Sequence, residues 1–257
     1  MRITLNLPQA QAALIRSLNL GGITTPPEVD VAVVLDVSGS FEDEHRAGVT
    51  NDLLTRLVPW GVTFDRDRQL DLITFSSGAR SAHPVGAVTP DNYQGYIARE
   101  VIGRVPGWGG ATDYSYPIER ALQQFGWLAS PEESAAGGLF GRLFGRGRSN
   151  LAAPQAARRS SLVIFITDGD NHDKPRTRQV LRESQARGDG VYFLFLGVSN
   201  QGSRFPFLEA IGDEFDNTGF VAIRNLRAFV QQTDDDLNGQ LLGPELLRWL
   251  GRASRSA

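Results

Sequence analysis

The 257 residues carry 26 Lys and Arg against 29 Asp and Glu, a formal charge of −3, with 41% hydrophobic and 21% charged residues. That is the balance of a globular chain with one large core, because single cores grow to about this size before chains split, and so mild a charge does not advertise nucleic acid. With no cysteine, disulfide frameworks, thiol nucleophiles and cysteine-ligated zinc or iron–sulfur sites are excluded together.

Residues 1–20 mix Arg2, Asn6, Pro8 and Gln9 among apolar residues, which is not the pattern of a secretory leader. No apolar run approaches the roughly 20 residues of a membrane span. A cytoplasmic location is the expectation. The chain opens on a predicted strand at residues 3–7, a helix at 9–20 and a Thr-Thr-Pro-Pro linker. Residues 31–35, all aliphatic, read as a strand buried on both faces, ending at Asp36. After Ser38-Gly39-Ser40, the acidic Glu42, Asp43 and Glu44 open a helix. Val49, Leu53, Leu54, Leu57 and Val58 continue it at helical spacing, and Pro59 and Gly61 are expected to end it.

Strands are predicted at 70–75 and, after the Ser-Ser-Gly turn, at 79–88. Helices follow at 91–105 and 114–128, with the glycine-rich loop 106–112 between them. Buried strands return at 162–167 and 191–196, separated by a helix that includes Val180 and Leu181. Residues 220–223 supply a last strand and 237–250 an amphipathic helix. This alternation predicts an α/β fold, doubly wound, with a mostly parallel central sheet and helices on both faces. Three regions emerge: an N-terminal arm (1–29), a main domain (30–232) and a C-terminal helix and tail (233–257). Within the main domain, residues 130–158 form a glycine- and arginine-rich surface insertion. Its Leu139-Phe140 and Leu143-Phe144 pairs, beside Arg142 and Arg146, would share one face of a short helix.

Three polar clusters fall at predicted C-terminal strand ends or in adjoining loops: Asp36-Val-Ser38-Gly-Ser40, Gly109-Gly-Ala-Thr112-Asp113 and Thr167-Asp168-Gly169-Asp170. In an open parallel sheet ligands bind at this edge. An Asp leaving a buried strand, followed by hydroxyls at two alternate positions, directs three small, hard oxygens toward one side of a turn. Such donors suit Mg²⁺ or Mn²⁺ rather than a soft metal. Taken singly each cluster has a plain reading: Ser40 could cap a helix, and Asp113, Asp170 and Asp173, which could serve as outer-shell acceptors, read more simply as solvated loop charges. His172, flanked by acids, matches no zinc spacing, and Trp108 could sit at the rim of the site or pack in the core.

Asp36-x-Ser38-x-Ser40, a threonine in a glycine-rich loop and a later Thr167-Asp168-Gly169, in this order, resemble the metal-ion-dependent adhesion site of von Willebrand factor A (vWA) domains. The likeness covers residues 30–230. The phrases Val33-Val-Leu-Asp-Val-Ser-Gly-Ser40, Val88-Thr-Pro-Asp-Asn-Tyr-Gln-Gly-Tyr96 and Gly109-Gly-Ala-Thr-Asp-Tyr114 are most similar to the bacterial tellurium-resistance-associated and copine-like branch. The resemblance implies one Mg²⁺ ion, or Mn²⁺ or Ca²⁺ in its place. Ser38, Ser40 and Thr112 would coordinate it directly, while Asp36 and Asp168 would balance its charge largely through water. A protein partner would supply an Asp or Glu carboxylate to the remaining position. Exchange of Thr112 for Asp168 in the inner shell would make a switch. The implied role is a non-catalytic adaptor, in a tellurite- or stress-resistance setting.

Competing classes fare worse on the residues. A haloacid-dehalogenase-type phosphoester hydrolase would place a second Asp where Ser38 stands. Dinucleotide binding lacks the Gly-x-Gly-x-x-Gly turn. A P-loop lacks its lysine, the only Lys being Lys174. Serine hydrolysis would need a histidine base, and His45, His83 and His172 show no diagnostic context. A structural subunit of an AAA-type chelatase-like complex is a third possibility, because such assemblies also use these domains.

Overall fold

The computed structural model describes residues 3–129 and 158–256. Six strands form one sheet: β1 (Asp30–Asp36), β2 (Leu70–Phe75), β3 (His83–Val88), β4 (Ser161–Thr167), β5 (Val191–Val198) and β6 (Thr218–Ile223). Their spatial order is β3-β2-β1-β4-β5-β6. β1 pairs in parallel with β2 and β4, β4 with β5, and β5 with β6, while β3 runs antiparallel to β2 at one edge. The helices, in chain order, are α1 (Leu7–Leu20), α2 (Glu42–Arg46), α3 (Val49–Phe64), α4 (Ser115–Gln124), α5 (Lys174–Arg187), α6 (Pro206–Glu214), α7 (Leu226–Val230), α8 (Asp234–Leu241) and α9 (Pro244–Ser256). No described helix is long and apolar enough to cross a membrane.

The continuous apolar strands are explained by two cores, one on each face of the sheet. Alternate side chains divide between them: Val31, Val33, Leu35, Leu162, Ile164 and Ile166 face one core, whereas Val34, Val163, Phe165, Phe193 and Phe195 face the other. α1, α3, α7, α8 and α9 cover the first face, and α4, α5 and α6 the second. The expected doubly wound, mostly parallel α/β architecture is therefore the one present. Strand order reverses between β1 and β4, so the crevice at their C-terminal ends is the topological switch point of the sheet.

Several local expectations differ from the fold. α3 runs past Pro59 and Gly61 to Phe64. Burial of Leu57, Val58, Trp60 and Phe64 holds the helix together, and Gly61 is where the Gln69 carbonyl packs closest; a Cβ there would lie 2.5 Å from that oxygen. Residues 3–6 are not a strand. They lie across the domain by way of the Ile3 amide bonded to Asp52 (3.1 Å) and the Leu5 amide bonded to Tyr93 (3.1 Å), and Asn6 caps α1. The helix expected over 91–105 is a set of turns around a single π-helical turn, Ile97–Val101. Gly95 and Gly103 adopt positive φ there and interrupt regular helix. Residues 79–81 form a 3₁₀ turn, so β3 starts later than expected. The C-terminal amphipathic segment is two helices, broken at Gly243-Pro244. α6 and α7 lay outside the sequence reading altogether. The glycine- and arginine-rich insertion, whether a flexible loop or a short helix carrying Leu139-Phe140 and Leu143-Phe144, falls outside the described residues.

Leu14 and Leu18 of α1, and Leu246, Trp249 and Leu250 of α9, belong to the same core as β1 and β4. α1 packs on α3 and α8, and Trp60 of α3 donates to Asn238 of α8 across 3.0 Å. Leu18→Ala should therefore lower stability by about 2–5 kcal/mol, the range for emptying a buried leucine site. Urea unfolding measures this, and no change would mean that α1 is only tethered.

Candidate metal centre

Asp36 ends β1 and Thr167 ends β4, and the parallel pairing of these strands sets them side by side at the switch point. Asp36 is completely buried. One of its carboxylate oxygens accepts the Ser38 amide (2.8 Å) and the other the Thr167 hydroxyl (2.6 Å). The Ser38 and Ser40 hydroxyls are 3.2 Å apart, and the Ser40 hydroxyl donates to Asp168 (2.9 Å). Ser38 is buried, Ser40 is exposed and Asp168 lies between these extremes. The cluster thus has a protected inner side and an open outer one.

Thr112 reaches the same crevice by a different route. Its glycine-rich loop packs on the Asp36 turn through Gly39 N–H to Gly110 carbonyl (3.0 Å) and Gly109 N–H to Val37 carbonyl (2.9 Å). On the other side the Thr112 carbonyl accepts the His172 amide (3.0 Å). The loop lies so close to its neighbours that a Cβ on Gly107, at φ 79°, would fall 2.4 Å from the Ser76 hydroxyl oxygen. Thr112 itself is buried. Asp36, Ser38, Ser40 and Asp168 are joined by direct contacts, whereas Thr112 is held by its backbone, with no side-chain hydrogen bond to the other four among the described residues.

His45, for which the sequence offered no context, braces the centre. It is buried in α2; Nε2 lies 2.9 Å from the Asp36 carbonyl and Nδ1 lies 2.9 Å from the Thr50 hydroxyl. Because a carbonyl only accepts, Nε2 carries the proton and Nδ1 accepts from Thr50. Its ring also meets Phe41 and Trp108 at 4.8 and 5.4 Å between centroids, so Trp108 is a packing residue, half-buried against the core. Burial lowers the His45 pKa to about 4.

The remaining acids divide by role. Asp113 accepts the Gly78 amide (2.8 Å). Asp173 accepts the Tyr114 and Ser115 amides, each at 2.9 Å, at the start of α4. Both are loop braces rather than free solvated charges. Burial alone would raise the Asp173 carboxyl, but the hydrogen bonds from Ser115, the Tyr114 amide and Asn171 outweigh it and hold Asp173 below the ordinary carboxylate value. Asp170 is exposed and pairs with Lys174. His172 is exposed.

No group of three or more His, Cys, Asp or Glu side chains among the described residues is arranged to hold a metal. The oxygen set at the crevice is of another kind: two carboxylates, Asp36 and Asp168, with the hydroxyls of Ser38, Ser40 and Thr112. These hard, neutral and anionic oxygens fit a small divalent cation. Burial pushes the Asp36 carboxyl up to about 7, against the hydrogen bonds from Thr167 and Ser38, and burial also raises Asp168. Two carboxylates destabilised by desolvation are what a nearby cation would relieve.

A six-stranded sheet of this order, with helices on both faces and an Asp-x-Ser-x-Ser turn at its switch point, defines a vWA domain. The chain belongs to the vWA-TerF-like family, the vWA found in the TerF C terminus, whose pattern matches residues 28–134 and 148–257. Uncharacterized protein YcbR of Bacillus subtilis is 23% identical over 229 residues, covering 87% of this chain and 78% of that protein. Among solved structures, proximal thread matrix protein 1 from the mussel byssus aligns over 83% of this chain and 49% of its own, with TM-score 0.47 and 19% identity. The chain thus spans about half the length of that protein. The N-terminal domain of TFIIH p34 aligns over 80% of this chain and 95% of its own, with TM-score 0.48 and 14% identity.

The pH response of the metal-free centre has a defined sign. Asp36 takes a proton more readily folded than unfolded, so its contribution to stability is full below about pH 4 and is lost as pH rises through about 7. His45, lowered to about 4, works oppositely, losing stability as pH falls below about 6.5. Between these limits the two offset one another. Asp36→Asn should therefore stabilise the chelator-treated protein at pH 8 by roughly 2–4 kcal/mol, and the gain should shrink toward pH 5. Urea unfolding at both pH values checks this; equal effects at the two would refute the buried-charge account.

Proposed function

We propose that this domain is a non-catalytic interaction module that recognises a protein partner through one divalent cation, Mg²⁺ or, in its place, Mn²⁺ or Ca²⁺. The observation that carries the reading is the linked set Asp36, Ser38, Ser40 and Asp168, with the glycine-rich loop that carries the buried Thr112 laid against it, at the crevice where an α/β sheet binds ligands. When bound, the cation would supply a positive centre for an anionic group. Ser38, Ser40 and Thr112 would hold it through their hydroxyl oxygens, and Asp36 and Asp168 would balance its charge. The outer side, at Ser40 and Asp168, is where an Asp or Glu of the partner would arrive.

The absence of catalysis in this proposal has support in His45. Its Nε2–H is spent on the Asp36 carbonyl and its ring is buried, so it is not poised to take a proton from Ser38 or Ser40. A cytoplasmic adaptor role in tellurite or stress resistance is the setting we propose, consistent with membership of the vWA-TerF-like family.

Mg²⁺ or Mn²⁺ at millimolar concentration should raise the melting temperature of the wild type, and Ser38→Ala or Asp168→Ala should largely remove the response. No ion-dependent shift in the wild type would sink the site. Because the proton on Asp36 competes with the cation, ion affinity should rise as pH increases through about 7. Calorimetry in two buffers of different ionisation enthalpy should register proton release near pH 6.5. A partner retained equally with and without chelator would remove the cation from the recognition step.

A further inference from the structure

The Thr112 and Asp168 loops are joined by a clasp built around a buried tyrosine. Tyr114, two residues beyond Thr112, is completely buried, and its hydroxyl lies 2.5 Å from the Gly169 carbonyl and 3.3 Å from the Thr167 hydroxyl. A phenol has one proton to give. A carbonyl can only accept, so that proton goes to Gly169, leaving the Thr167 hydroxyl free to donate to Asp36 at 2.6 Å. From the opposite direction the Asp173 carboxylate accepts the amides of Tyr114 and Ser115, one on each oxygen, and Asn171 donates to it at 2.8 Å. The His172 amide to the Thr112 carbonyl completes the lacing. Residues 112–115 and 167–173 are thereby tied at both ends of the span that carries Thr112 and Asp168.

We propose that Tyr114 and Asp173 are positioning residues that hold the Thr112 and Asp168 loops as one body, so that the centre keeps a single arrangement of its oxygens. The inference rests on the cation reading for its consequence but on hydrogen bonds alone for its substance. An exchange in which Thr112 withdraws while Asp168 advances would move the two loops relative to each other, and that motion breaks the Tyr114 to Gly169 bond and the paired amide bonds to Asp173 together. Buried polar groups left without partners make such a motion costly. The clasp also anchors the centre to the first turn of α4 and to the loop leading into α5, on the face of the sheet opposite to α1 and α9.

Tyr114→Phe is the sharpest test, because the ring contacts with Phe75, Phe165 and Phe207 are kept and only the hydroxyl is lost. Manganese binding, read from the loss of the free-ion paramagnetic resonance signal, should weaken about tenfold in Tyr114→Phe, the equivalent of one hydrogen bond. It should weaken more in Asp173→Ala than in Asp173→Asn, which retains one acceptor. Amide hydrogen exchange of the metal-free protein supplies an independent readout. The amides of Tyr114, Ser115 and His172 should exchange at one common rate in the wild type and faster together in Tyr114→Phe, with β1 and β4 unchanged. Unaltered manganese affinity in Tyr114→Phe, or separate exchange rates for the two loops, overturns the proposal. If the wild type leaves the free-manganese signal untouched, the cation reading fails, and the exchange rates alone then decide the clasp.

Discussion

A carboxylate with no access to water sits at the end of the central strand, and the surrounding loops are arranged to make that tolerable. Asp36 would be expensive to bury unpartnered. One oxygen is met by the Ser38 amide and the other by the Thr167 hydroxyl, while the carbonyl of the same residue is held by His45. Each of these partners belongs to a different element, respectively the turn after β1, the end of β4 and α2. Satisfying one side chain therefore ties the three together.

The sheet topology makes this possible. Parallel β1 and β4 end at the same edge, and the reversal of strand order between them opens the crevice in which their loops meet. The glycine-rich loop completes it by approaching the Asp36 turn backbone to backbone. Thr112 is delivered by that packing, and Asp168 by its place directly after Thr167. The outer rim is largely charge-paired: Arg46 lies against Glu42, Lys174 against Asp170, and Arg227 is 3.8 Å from Glu44. No ion pair among the described residues reaches Asp36 or Asp168, so neither carboxylate is neutralised by a side-chain cation.

The two faces of the sheet serve the crevice differently. On one, α1, α3, α8 and α9 build a wide apolar layer in which both ends of the chain take part. On the other, the helices that follow the Thr112 and Asp168 loops, α4 and α5, pack together, and Tyr114 lies among Phe75, Phe165 and Phe207. The clasp between those loops consequently has the fully buried Tyr114 at the base of the second layer as its inner end, with the half-buried Asp173 as its outer one.

By itself the sequence determined the buried strands and the polar clusters that follow them. Runs such as Val31 to Leu35 and Leu162 to Ile166 are buried on both faces and so lack polar positions, a pattern that short-range physics imposes and that can be read directly. Asp36, Ser38, Ser40, Thr112 and Asp168 were legible because each sits at a fixed offset from such a strand or in a glycine-rich loop. Tertiary structure alone decided what depends on distant partners. Pro59 did not end α3 because buried side chains on both sides of it outweighed one missing hydrogen bond, and residues 91–105 did not become a helix because glycines with positive φ interrupted them. The partners of His45, Tyr114 and Asp173 carry no mark in the sequence, since each owes its role to a residue 9, 55 or 59 positions away. Local pattern sets which segments are buried; only the packed chain sets which buried polar groups find each other.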